Sequence, residues 1–452
     1  MSSLKENKMG VMPVNKLLIT MSLPIMASML IQALYNIVDS MFVAQIGEDA
    51  LTALSLAFPI QNLMIGVATG TGVGMNALLS KSLGEKDLNK VNKAATNGVA
   101  LALAASVLFI LFGIFGTRIF FEVQTDNQQI VEYGTKYLSI CSIGSAFLYI
   151  SIIFERLMQA TGKTVLSMYT QGIGAIVNII LDPIFIFTFD LDVVGAALAT
   201  IIGQAVSCVV GIILNYKYNP EVSLNFKKFR FHGDTVKKIY SVGIPSMIMV
   251  GIGSVMNFML NNMLISFFST TAAAVLGVYY KIQSFAFMPL FGLNNGVIPI
   301  IAYNYGAAKR ARIIKCIKLS IAYATAIMFV AITVFQIFPK QLLLMFDASE
   351  QMLGIGIPAF RIISIHYAFA GFCIAIGATF QAFGKGMLSM IVSACRQLVV
   401  LVPAAYLLTI IFRDINLFWY CFPIAEVMSM IVSIICYLYI YKTIIKKIPE
   451  NL

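Results

Sequence analysis

Charge is scarce in this chain, and histidine and tryptophan are nearly missing. Charged residues fill 11% of its 452 positions, against about 25% in an ordinary soluble domain. A water-soluble globular protein is therefore excluded. Two histidines, His232 and His366, cannot build a His-rich metal cluster. The seven cysteines (141, 208, 316, 373, 395, 421 and 436) are odd in number and never form Cys-x-x-Cys. Neither a disulfide framework nor a zinc site is expected from them. Long polar stretches are absent too, so there is no room for a soluble catalytic domain, and no enzyme and no cofactor are expected.

What is present is apolar length. Hydrophobic residues make up 59% of the chain, and a bilayer core takes about 20 of them per helix. Twelve such stretches follow one another, at about 16–43, 51–80, 94–121, 133–160, 164–189 and 193–216 in the first half. The second half has them at about 239–268, 273–305, 315–338, 352–383, 387–412 and 416–441. Several exceed 25 residues, which predicts tilt, or kinks at Pro24, Pro59, Pro245 and Pro289. The basic start (Lys5, Lys8, Lys16) leads into an apolar run too long for a signal-peptide core, so a retained first span is expected. The predicted fold class is an all-α integral membrane protein in the plasma (inner) membrane.

The net charge of +11 is distributed, not pooled. Basic residues occupy the N-terminal tail, Lys81–Lys93, Lys163, the stretch Lys217–Lys238 with Lys227, Lys228 and Arg230, Lys309–Lys318, Lys385 and the tail at Lys442–Lys447. Alternate loops carry Glu48-Asp49, Asp190 and Asp192, no charge at 269–274, or the mixed set Lys340, Asp347 and Glu350. The positive-inside rule then places both termini and the linker in the cytoplasm. The predicted organisation is tail 1–15, bundle 16–216, linker 217–238, bundle 239–441 and tail 442–452. The cations face a lipid surface rather than nucleic acid.

The chain is also written twice. Gln159-Ala160-Thr161-Gly162-Lys163-Thr164-Val165-Leu166-Ser167-Met168 recurs as Gln381-Ala382-Phe383-Gly384-Lys385-Gly386-Met387-Leu388-Ser389-Met390, at an offset of 222. The same offset carries Gly70, Gly74 and Gly84 onto Gly292, Gly296 and Gly306, and Gln61 onto Gln283. Six spans per half is an even number, so the halves share one orientation, the geometry of parallel repeats around a central cavity. Two motif decoys fall away. Gly162-Lys163-Thr164 lacks the earlier glycine of a P-loop, and Gly70-Thr71-Gly72-Val73-Gly74 lies inside a span with no βαβ context. No ATPase is expected.

Ionisable side chains inside spans are functional candidates by default. Span one carries Tyr35-Asn36-Ile37-Val38-Asp39, and span five carries Asn178-Ile179-Ile180-Leu181-Asp182-Pro183. The i,i+4 spacing sets Asn178 and Asp182 on one face, and Pro183 frees a carbonyl beside them. Asp39, Asn36, Asn178 and Asp182 together suit a proton or a hard cation such as Na⁺. For Na⁺ the ligands would be Asp39, Asn178 and Asp182. Glu155 and Arg156 stand near the basic end of span four. Equal depth of Arg361 and Glu426 predicts a structural ion pair. Tyr35, Glu155, Lys281, His366, Asn257, Asn261, Asn294 and Asn295 are further cavity candidates, with Arg396 as a cavity or packing residue. The 24 Met and 33 Phe suit an adaptable apolar pocket.

The paired Gln-Ala-x-Gly-Lys turns, Asp39 and Asn178-xxx-Asp182-Pro183 resemble the multidrug and toxic compound extrusion (MATE) family, nearest its bacterial multidrug-export branch. The resemblance covers nearly the whole chain. It implies a V-shaped pair of bundles that export lipophilic, mostly cationic small molecules in exchange for H⁺ or Na⁺ by rocker-switch alternating access, with the protein monomeric. It matches Asp39, Asn178 and Asp182 to a cation site in the N-terminal half, and Lys281 to a basic position in span eight. The chain departs from the family where span seven offers asparagines, span ten offers no carboxylate, and Asn295 stands near a glutamate of the relatives. Coupling is therefore expected in the N-terminal half alone. The alternative is a lipid-linked saccharide flippase of the same superfamily, which Arg361, Lys281 and Arg396 would serve.

Overall fold

The structure is a computed structural model that describes residues 6–226 and 230–449. The expected basic residues Lys5, Lys227 and Lys228, and the end of the tail at 450–452, lie outside the described residues. Every regular element among the described residues is helical. Ten helices are long and apolar enough to cross a bilayer: Val14–Ala44, Glu48–Gly84, Leu88–Phe115, Thr164–Thr188, Asp192–Tyr218, Gly233–Phe267, Thr270–Gly306, Arg310–Ile337, Gly386–Phe412 and Ile415–Lys447. Two bent pairs, Gln128–Ile143 with Ser145–Ala160 and Glu350–Ser364 with Tyr367–Ala382, supply spans four and ten.

The sharp breaks do not fall at the expected prolines. Pro24, Pro59, Pro245 and Pro289 all sit inside continuous helices. Spans four and ten bend instead by 47° and 48°, at Gly144 and at Ile365-His366. At Gly144 a Cβ would meet the Ile201 side chain at 2.5 Å, so the absent side chain lets span six press into the bend. Breaks of this size arise wherever the i→i−4 ladder is interrupted, and proline is one cause among several.

The repeat is visible in element boundaries. Helices begin at Glu48 and Thr270, Leu88 and Arg310, Gln128 and Glu350, Ser145 and Tyr367, and Thr164 and Gly386, each pair 222 apart. Asn127 and Ser349 cap the matching helices with their side-chain oxygens. The paired Gln-Ala-x-Gly-Lys segments are helix stops: Gly162 and Gly384 take φ of +83° and +73°. The following Lys163 and Lys385 amides return to the carbonyls of Met158 and Phe380 at 2.7 and 2.8 Å. That six-to-one bond is the Schellman closure, and the left-handed residue in it favours glycine.

The two halves are pressed together at their basic end. A Cβ on Gly84 would lie 2.0 Å from the Tyr303 carbonyl oxygen, and a Cβ on Gly306 would lie 2.0 Å from that of Lys81. The two contacts are images of each other under the repeat. Lys81 also places its ammonium 4.8 Å from the centre of the Tyr305 ring. The N-terminal segment straps this seam. Asn7 donates to the Thr161 carbonyl of the first half at 3.0 Å and to Glu221 of the linker at 2.9 Å. On the second half, Asn304 and Arg312 both donate to the Met9 carbonyl at 3.0 Å, and Lys309 pairs with Glu6.

Candidate functional site

Spans one and five are clasped by Gln171, whose amide donates to the Gln32 oxygen at 2.7 Å. Seven residues further along each helix stand Asp39 and Asn178, about 10 Å from the clasp at 1.5 Å per residue. Asp182 lies one turn beyond Asn178. Span six holds this stretch of span five, because Gly203 and Ser207 press against Asn178 and Gly174. After Pro183 the helix widens into a π-helical turn over Ile184–Thr188, closed by the Phe189 amide on the Ile184 carbonyl at 3.0 Å. Such turns recur at functional sites.

The polar groups here are strikingly under-bonded for a buried site. Asn178 and Asp182 are buried and share one long contact of 3.5 Å. One oxygen each of Asp39, Asn178 and Asp182 is fully buried with no hydrogen-bond partner among the described residues. Asp39 and Asp182 lie within interaction range of each other. Buried oxygens without donors cost about 1–3 kcal/mol each, so they are retained at a stability penalty that a bound proton or cation would relieve. No group of three or more His, Cys, Asp or Glu side chains among the described residues could hold a metal. A Na⁺ ion here would depend on the Asn178 amide and backbone carbonyls for its remaining oxygens. Asn36 does not join the group: although it stands one turn from Asp39, it is exposed.

Between the halves lies a cavity of about 740 Å³, within the usual range for small-molecule sites. Of the expected cavity residues, Tyr35, Glu155, Asn294 and Asn295 line it, and Asn178 of the expected cation site lines it as well. Tyr35 and Asn178 thus join the cavity to the acidic site, whereas Asp39 and Asp182 lie behind its wall. Asn257, Asn261, Lys281 and His366 are not in this lining. Asn261 spends its amide on Asn257 at 2.9 Å along span seven. Lys281 is exposed, with its ammonium 5.8 Å from the Phe346 ring centre. His366 faces a second pocket of about 280 Å³ within the C-terminal half.

The cavity wall is also less apolar than its methionine and phenylalanine content suggests. Met29, Met249 and Phe291 contribute, but so do ten carboxamides, including Gln32, Asn62, Gln171, Gln204, Gln381 and Gln397. These glutamines escaped sequence reading. Their signal was an amide alone on an apolar span, as with Gln61, which donates to the Tyr137 hydroxyl at 3.1 Å beside the acidic site.

The expected Arg361–Glu426 pair is not formed. Arg361 is exposed, and its backbone carbonyl accepts from Gln336. Glu426 is buried, with Arg396 Nη1 at 3.5 Å and His366 Nδ1 at 3.4 Å on its two oxygens. The pairing was inferred from equal depth along the spans, but depth says nothing about the facing of each helix, and Arg361 is exposed.

Comparison with known proteins fits this geometry. The family described as MatE matches residues 24–184 and 245–407. The chain belongs to the MatE family. The two matched segments fall one in each half of the repeat. Its relatives include the multidrug export protein MepA of Staphylococcus saprophyticus, 26% identical over 418 residues and covering 92% of each chain. MepA of Staphylococcus aureus strain MRSA252 is 26% identical over 430 residues, 94% of each. Among solved structures, a multidrug resistance MATE family transporter in an outward-facing conformation superposes with a TM-score of 0.92 over 99% of this chain and all of that one, at 24% identity. A MOP superfamily transporter from Pyrococcus furiosus, described as having reversed polarity of its binding pocket, gives 0.91 at 24% identity and the same coverage. The MatE chain thus has the twelve-helix fold of these transporters, and it belongs to a family of transporters.

Proposed function

We propose that this protein exports lipophilic, mostly cationic small molecules across the plasma membrane, in exchange for H⁺ or Na⁺ bound at Asp39, Asn178 and Asp182. The observation that carries the reading is the set of donor-less buried oxygens on those three residues, with Asn178 in the wall of a drug-sized cavity and the two aspartates behind it. The MepA relatives, named as multidrug export proteins, support the substrate range. The basic end is read as cytoplasmic, with both termini there, and the protein works as a monomer. With the halves pressed together at that end, the described arrangement is the outward-facing one.

Alternation then has a physical route. A cation or proton at the acidic site neutralises carboxylates one wall away from the cavity and draws Asn178 or Tyr35, which touch both places, out of the drug's reach. Each ligand can shift the other only by its differential affinity for the two states, and the shift is reciprocal. The flippase alternative would need a broadly cationic cavity. Of its three expected cations only Arg396 lines the wall, beside Arg156 and opposed by Glu155, so export of drugs is favoured.

The test is dye efflux from proteoliposomes under imposed pH and Na⁺ gradients. Asp182→Asn and Asp39→Asn should each abolish gradient-driven efflux while the protein still inserts and folds. Full activity in either variant would remove the coupling assignment.

A further inference from the structure

Arg396 is the cation of the C-terminal wall of the cavity, and it also borders the smaller pocket beside it. It stands in a second π-helical stretch, Cys395–Leu401, where the ordinary hydrogen-bond ladder is widened. Its one hydrogen bond among the described residues is the 3.5 Å contact to Glu426. A guanidinium carries five N–H donors, so most of this one remains available to the cavity. Glu426 does not depend on Arg396 alone. His366 reaches its other oxygen, and the far side of the imidazole is fixed by the Tyr279 hydroxyl at 3.1 Å. The carboxylate therefore keeps a partner when the guanidinium turns toward a ligand.

The opposite wall carries the complementary charge. Glu155 lines the cavity from span four, and its sequence neighbour Arg156 is engaged with Gln159 at 3.0 Å. Asn294, also in the cavity lining, has a buried amide oxygen with no partner among the described residues. A ligand carrying positive charge alone would meet Glu155 but would leave the Arg396 guanidinium facing it as a like charge. A ligand with a carboxylate as well would satisfy both walls.

We propose that the cavity preferentially takes zwitterionic amphiphiles, with the cationic group at Glu155 and a carboxylate at Arg396, which makes Arg396 a specificity-determining residue. This rests on the export reading and sharpens its substrate class. Carboxylate–guanidinium contacts can be bidentate and are about twice as strong as neutral hydrogen bonds, so the anionic end is read by geometry as well as by charge.

Rhodamine B and its ethyl ester test this directly, because they differ only in whether the carboxylate is free. Binding of each dye to the purified full chain is followed by fluorescence polarisation. The wild type should bind rhodamine B more tightly than the ester. Arg396→Gln should weaken rhodamine B by about tenfold while leaving the ester within about twofold. Arg396→Lys, which keeps the charge, should retain part of the preference. Equal weakening of both dyes in both variants would assign Arg396 a packing role and overturn the proposal. Tight ester binding with no preference for the carboxylate would overturn it too, while leaving the export reading intact. Failure of the wild type to bind either dye would overturn both.

Discussion

The reciprocal glycine contacts at the basic end make a quantitative prediction. In Gly84→Ala the new Cβ would sit 2.0 Å from the Tyr303 carbonyl oxygen and 2.9 Å from the Ala307 nitrogen. Both are backbone atoms of the other half, so no side chain can swing aside. Reaching ordinary contact, about 3.4 Å, requires spans two and eight to separate by about 1.4 Å, and overpacking of this kind costs about 1–3 kcal/mol. The penalty applies only where the halves meet. The helical preference of alanine over glycine acts in both conformers and cancels from their ratio. The arrangement closed at the basic end should therefore lose about 5–150-fold in population relative to the one that opens there. Spin labels at the exposed positions Asn89 and Lys318, with the incompletely buried Cys395 and Cys436 replaced by serine, would report the separation. The distance distribution should move outward, and turnover should fall because the cycle must revisit the closed state. Gly306→Ala should do the same, since its Cβ meets the Lys81 carbonyl at the same 2.0 Å. Gly172→Ala, with nothing within 4 Å, should change neither. Unchanged distances and turnover in Gly84→Ala would show that the seam yields freely, and the reasoning would fail.

Further outcomes follow from the C-terminal cluster and the strap. Glu426→Leu leaves Arg396 and His366 without their carboxylate and should lower stability by about 3–5 kcal/mol, discounted for the partial exposure of Arg396. Arg396→Gln should cost less, since His366 remains, and Arg361→Ala should stay within about 0.5 kcal/mol, all read from thermal melts. Arg312→Ala removes donors to the Met9 and Met12 carbonyls and should speed amide exchange over residues 7–12 by about tenfold, with exchange elsewhere unchanged. Lys309 beside Glu6 holds that carboxyl below its ordinary value of 4.5. A lowered carboxyl stabilises above its unfolded value and loses that contribution as pH falls through the folded one. The strap should therefore loosen progressively as pH falls below the ordinary value of 4.5 and be indifferent between about 6 and 8.

The architecture was legible because its signals are long. Span count came from apolar length, and the repeat from landmarks such as Gln159 and Gln381 that keep one register. Helix ends matched to within about six residues, and most closely where the loops hold helix stops such as the αL glycines Gly162 and Gly384. Asp39, Asn178 and Asp182 were legible for a different reason: a carboxylate in hydrocarbon is costly enough to stand out alone. What could not be read was rotation. Arg361 and Arg396 look equivalent in an apolar sequence, and only the facing of spans ten and eleven decides which meets Glu426. The same blindness set Asn36 beside Asp39 and put Lys281 in the cavity. Long spans buried on several sides, such as the one at Thr270–Gly306, carry no single polar face to orient them.

The two halves share a scaffold but not a chemistry, and the difference falls where the register carries no matching side chain. Shifted by 222, Asn178 and Asp182 fall on Val400 and Ala404, and Arg396 falls back on Gly174. Each half nonetheless places a π-helical turn close by, after Asp182 in span five and around Arg396 in span eleven. The repeated features — glycine crossings, helix stops, caps and the breaks in spans four and ten — all serve how the halves pack and pivot. The unrepeated ones are the charged groups near the cavity. That division suits the proposed alternating access. Equivalent contacts would let two similar bodies rock against each other at nearly equal energy, while unequal charges give the two walls different groups to read. An acidic first half and a guanidinium-bearing second half supply that inequality without disturbing the symmetric seam.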